Sequence, residues 1–172
     1  MRTVFFCILT SVAELVFTFP LSAQQAVFVV RHAERLDRSE DSPLTEDGKK
    51  RALALFNTLK AVGIGAIYTS DKQRTIKTAE PLSQSLNIKP IEVPRGPNNF
   101  DNKAGINFMI SQIRNRNQSD SVLIVYHHTE LPEIIEIFGC RKDIKISEDE
   151  YDNLFILIVK PDACLMTLNL KY

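Results

Sequence analysis

The sequence predicts a single three-layer α/β domain, a mostly parallel sheet with helices on both faces. Three observations carry that expectation. Short apolar runs of strand length alternate with segments of helical periodicity, which is the pattern of βα units around a buried sheet. The polar strings Arg31-His32, Ser70-Asp71 and His127-His128 each directly follow such a run, and open α/β sheets bind ligands beyond the carboxyl ends of their strands. Finally, 172 residues with 44% hydrophobic content suffice for one core but not comfortably for two.

Taken in order, residues 1–23 stand apart. Arg2 supplies a positive start, an apolar stretch follows from Val4 to Phe19, and Pro20-Leu21-Ser22-Ala23 ends in a small residue. This reads as a secretory signal cleaved near Ala23, so the domain is expected to occupy residues 24–172 and to be secreted or periplasmic. Glu14 and the short apolar run argue against an uncleaved span, which needs about 20 apolar residues. No stable membrane association is therefore expected after the signal is removed.

Residues 26–30 read as the first strand. A loop rich in charge, Ser and Pro covers 36–43, and Thr45 followed by Glu46 and Asp47 has the chemistry of a helix start, with capping and the macrodipole both favourable. Ala52, Leu55, Phe56 and Leu59 share one face of that helix, and Gly63 is its expected stop. A second strand is expected at 66–69, then a helix over 72–86 capped by Ser70-Asp71, and a short strand within 88–93. Two prolines, a glycine and three asparagines mark 94–102 as a loop lying across the surface, with a position over the site as one option. Ile106, Met109, Ile110 and Ile113 form the core stripe of a helix over 104–116. Residues 122–126 are a strand, a helix begins near Thr129 with Pro132 in its first turn, and 154–159 with 165–170 form a closing hairpin.

Twenty-one basic and twenty-one acidic residues cancel, and no basic tract is present, so nucleic acid is not an expected partner. There is no CxxC or HExxH spacing, and neither a metal nor a cofactor is expected. Cys140 and Cys164 either pair in an exported chain or serve as two small buried hydrophobes. Lys49-Lys50-Arg51 reads as the wet face of a helix, Arg35 as a solvated charge, and Glu34 and Asp71 as groups that orient arginines or cap helices.

The strings Arg31-His32-Ala33-Glu34, Pro43-Leu44-Thr45-Glu46-Asp47-Gly48 and Ser70 through Leu82 stand in the order and form of the histidine phosphatase superfamily, and the chain resembles its branch 1. A fourth segment, Tyr126-His127-His128-Thr129-Glu130-Leu131-Pro132-Glu133, is similar to the family's GHSNxxPE pattern, with Tyr126, His128 and Thr129 replacing the usual glycine, small residue and asparagine. The resemblance implies a phosphoglycerate mutase-like fold and a phosphoric monoester hydrolase of the histidine acid phosphatase type. His32 is then the nucleophile, forming a covalent phosphohistidine, and Arg31, Arg74 and His127 hold the phosphoryl oxygens.

A guanidinium fork matches phosphate oxygens and stays charged, and imidazole is largely neutral at pH 7. For the leaving group's proton three readings stay open: Asp101 as donor, Glu92 as donor, or no dedicated donor. A small phosphorylated substrate or a phosphoprotein is the expected partner, carrying a phosphomonoester or a phosphoramidate. The alternatives are a phosphate-binding or sensing module that has lost turnover, and a phosphoglycerate mutase. Tyr151-Asp152-Asn153 is expected to be structural.

Overall fold

The computed structural model describes residues 24–95, 102–116, 120–160 and 163–172. The expected signal segment and Asp101 lie outside the described residues. The chain runs β1 (Gln25–Arg31), α1 (Glu46–Leu59), β2 (Ile64–Thr69), α2 (Gln73–Leu86), β3 (Ile91–Glu92), α3 (Lys103–Arg114), β4 (Ser121–Tyr126), α4 (Leu131–Ile137), β5 (Asn153–Lys160) and β6 (Ala163–Lys171). The described strands form one sheet in the order β3-β2-β4-β1-β5-β6. From β3 to β1 the pairings are parallel, and β5 and β6 join antiparallel. The carboxyl ends of β1, β2 and β4 therefore share one edge.

Alternate residues of the central strands feed two cores. Val27, Val29, Val122 and Ile124 meet Ile106, Met109, Ile110 and Ile113 of α3 and Leu131, Ile134 and Ile135 of α4. Phe28, Val30, Leu123 and Val125 meet Leu55 and Leu59 of α1 and Ala79 and Leu82 of α2 on the opposite face. Each such side chain removed from water contributes about 1.5–3 kcal/mol before conformational entropy is counted. This is the three-layer arrangement that the sequence predicts.

The Thr45 hydroxyl accepts from Gly48 N at 3.0 Å and caps α1 as expected. A Cβ at Gly48 would lie 2.4 Å from the Glu34 carbonyl oxygen, so only glycine lets α1 approach the segment that follows His32. The helix ends at Leu59, short of Gly63, and Gly63 instead makes the turn into β2 at φ +76°. Ser70-Asp71 does not close the start of α2. Gln73 N donates to Asp41 Oδ1 at 2.7 Å, so the cap comes from the 36–43 loop. The strand expected within 88–93 shortens to Ile91–Glu92, both exposed.

A disulfide joins Cys140, beyond α4, to Cys164 in β6. β6 is the outer strand, and Leu165, Met166, Leu168 and Leu170 on it are exposed. Among the described residues, no helix is long and apolar enough to cross a membrane.

Candidate active site

Because Arg31 is in register with Tyr126 across the parallel pair, the residues that follow each strand emerge together. The His32 amide donates to Tyr126 O at 2.9 Å. The two imidazoles meet edge to face with ring centroids 5.2 Å apart. His32 Nδ1 lies 2.8 Å from its neighbour's carbonyl, Ala33 O, and donating there it leaves Nε2 as an unprotonated lone pair. Burial first, and then the charges of Arg31, Arg74 and Arg35, push the His32 pKa down to about 3 against the opposing pull of Ala33 O. The ring is neutral throughout the physiological range.

His127 is driven still further below its ordinary value, again by burial first, with Arg95, His32, Arg74 and His128 adding to the effect. Its Nε2 lies 2.9 Å from Ser70 Oγ, which is in turn 2.9 Å from Thr75 Oγ1. Ser70, expected only as a helix cap, therefore positions the second imidazole. The segment from Ser70 to Leu82 contains it, but nothing in that string says that its hydroxyl turns toward a histidine 57 positions later.

Both arginines are fixed through one nitrogen. Arg31 Nη1 donates to the carbonyls of Glu148 at 2.6 Å, Glu150 at 3.0 Å and Ser147 at 3.3 Å, while its guanidinium stacks 3.8 Å above the Tyr151 ring. Arg74 Nη1 donates to Glu40 O at 2.6 Å. Arg31 Nε and Arg74 Nε are buried donors with no partner among the described residues. Such groups cost about 1–3 kcal/mol each when left unpaired, so two of them beside a neutral imidazole fit an anionic ligand. Burial lowers the pKa of both guanidiniums, but from so high a starting value that they remain cationic.

The structure thus brings Arg31, His32, Arg74 and His127 together, each 1–4% exposed. Asp101 is outside the described residues, and Glu92 lies exposed on the edge strand β3. Two expectations need correction. Arg35 is not a solvated charge: it lies beside Glu148 at 3.8 Å, its side chain is only 25% exposed, and its charge reaches Arg31, His32, Arg74 and His128. Arg51 leaves the wet face of α1 to grip Glu34 in two-pronged fashion, so Glu34 orients Arg51 and not a site arginine.

The three departures at the fourth segment fall mostly away from the centre. Tyr126 is buried in the α3/α4 core, where its hydroxyl donates to Val93 O at 3.2 Å and accepts from Asn102 Nδ2 at 2.7 Å. Thr129 is exposed and bonds Glu130, which also holds Arg95. His128 is half-buried, within electrostatic reach of Arg31, Glu148 and Glu130. A hollow of about 450 Å³ opens beside the centre, lined by Arg35, Arg38, Asp149 and Tyr151 among others.

The family model of the histidine phosphatase superfamily, branch 1, matches residues 27–96, and fold and site agree with that likeness. Particular relatives carry the likeness further. The probable phosphoglycerate mutase GpmB of Cronobacter sakazakii is 41% identical over 76 residues, 40% of this chain and 35% of that protein. The match spans about a third of the length of such curated relatives. Among solved structures, Bacillus stearothermophilus YhfR superposes with a TM-score of 0.62 at 23% identity, over 81% of this chain and 94% of that one. The protein histidine phosphatase SixA complexed with tungstate gives a TM-score of 0.64 at 18% identity, over 85% and 96%. These two likenesses are of fold.

Proposed function

We propose that the chain is a phosphohydrolase acting on a phosphomonoester or phosphoramidate through a phosphohistidine at His32. The observation that carries this reading is the neutral Nε2 of His32, beside His127 and within electrostatic reach of two arginines that each retain a buried Nε–H with no partner among the described residues. The Nε2 lone pair attacks phosphorus and the bond to the leaving oxygen or nitrogen breaks. Water then attacks phosphorus, the N–P bond breaks, and the imidazole and inorganic phosphate are released. Arg31 and Arg74 hold the equatorial oxygens before the charge moves, so little reorganisation is required. Ser70 donating to His127 Nε2 leaves the opposite N–H of that ring for a phosphoryl oxygen. A leaving alkoxide takes its proton from Asp101 in this reading.

The test is release of phosphate from p-nitrophenyl phosphate at pH 5 to 7, with trapping of the labelled enzyme. Loss of label and of turnover in His32→Ala is the expected result; equal turnover in the two proteins overturns the assignment. A mutase is the second reading, favoured by the 41% identity to GpmB over 76 residues. Isomerisation of 3-phosphoglycerate without net phosphate release would select it. Export of the mature chain from about Gln24 belongs to the same proposal, and the Cys140–Cys164 disulfide supports it, since such bonds persist in oxidising compartments.

A further inference from the structure

A second cavity, of about 700 Å³, lies between the 36–45 segment and the facing sides of α1 and α2. Its apolar wall is Leu36, Pro43, Leu44, Ala52, Leu53 and Pro81. Its charged rim is internally neutralised, with Lys49 bound to Glu46 at 2.6 Å and Lys77 to Glu80 at 2.7 Å. Thr45, the remaining polar lining residue, already caps α1 through its hydroxyl. The groove thus offers an apolar surface whose polar groups are spoken for, and its volume lies in the range of small-molecule sites, about 300–1,000 Å³.

Two contacts tie it to the catalytic centre. Leu36 walls both this groove and the hollow that holds Arg35 and Tyr151, and Tyr151 lies 6.1 Å from the His32 ring, centroid to centroid. Leu44 and Ala52 on the groove's floor form a buried cluster with Ala33, the residue after the nucleophile. Leu36 and Leu53 are 63% and 53% exposed, so an apolar chain laid over them would leave water.

We propose that the preferred substrate is amphiphilic: a phosphate ester whose head reaches His32, whose polar neck crosses Arg35 and Tyr151, and whose alkyl chain lies in the groove between α1 and α2. The proposal rests on the phosphohydrolase reading and names its substrate class. An apolar chain suits the groove better than a second charged group, because its charges are already paired with one another.

The test is a homologous series of n-alkyl phosphates, from ethyl to dodecyl, held below their micelle concentrations. kcat/KM should rise by about threefold per added methylene over the first several carbons. In Leu53→Asp the ratio of dodecyl to ethyl turnover should fall toward one. Equal kcat/KM across the series in the unaltered protein overturns the groove and leaves the phosphohydrolase intact.

If no phosphate ester is hydrolysed, the phosphohydrolase reading fails and binding decides the groove by itself. The neutral dye N-phenyl-1-naphthylamine should then brighten on the protein and be displaced by dodecyl phosphate but not by ethyl phosphate. That brightening should be weakened in Leu53→Asp. No brightening, or displacement that ignores chain length, overturns the groove.

Discussion

At the scale of single residues, the site depends on keeping imidazole neutral while surrounding it with fixed cations. The folded His32 value lies below the ordinary 6.5, so its contribution to stability is complete above that value and is lost as the pH falls toward about 3. Denaturant titrations between pH 7 and 4 should show falling stability, and the slope should be shallower in His32→Gln. In the unliganded protein the proposed nucleophile His32 stays unprotonated down to about pH 4, so the acid limb of kcat/KM should follow the substrate's own ionisation. Replacing Arg74 by lysine keeps a charge but removes the fork, which should cost roughly 10²- to 10³-fold in kcat with p-nitrophenyl phosphate.

At the scale of elements, the 36–43 loop is a working part of the centre. Glu40 O receives Arg74, while Asp41 receives both Gln73 N and Gln73 Nε2 and so closes the first turn of α2. Asp41→Ala should lower the unfolding free energy by about 1 kcal/mol and reduce kcat/KM, and Asp41→Asn, which keeps an acceptor, should restore most of both. Calorimetry alongside the turnover assay checks the pair.

This arrangement shows where sequence reading stops. The strands, the buried stripe of α3 and the Thr45 cap were legible because each obeys a local period or a local hydrogen bond. The cap of α2 was not, since the donor at Gln73 and the acceptor at Asp41 are 32 positions apart. The same holds for Ser70 and His127, and for the turn of Arg35 toward the histidines. In each case a side chain with a plausible local partner is taken by a distant one that only the folded sheet brings near. Gly48 is intermediate: its place in the string is visible, but the Glu34 carbonyl that forbids a Cβ is not.

At the scale of the whole molecule, the sheet is asymmetric. Its parallel half holds the candidate site, and its antiparallel half ends in β6, held to the segment beyond α4 by the Cys140–Cys164 bond. Closing a loop of 24 residues should contribute about 3 kcal/mol, so Cys140→Ser with Cys164→Ser should unfold at correspondingly lower denaturant while the candidate site stays in place. The nine-residue outer strand has a single charge, Lys171 at its far end, and four exposed apolar side chains. An open rim of that kind invites a neighbour to extend the hydrogen-bonded ladder. Without the bond β6 is freer to leave its own sheet and pair with another chain, so preparations made in a thiol-rich cytosol should clump more than material matured under oxidising conditions.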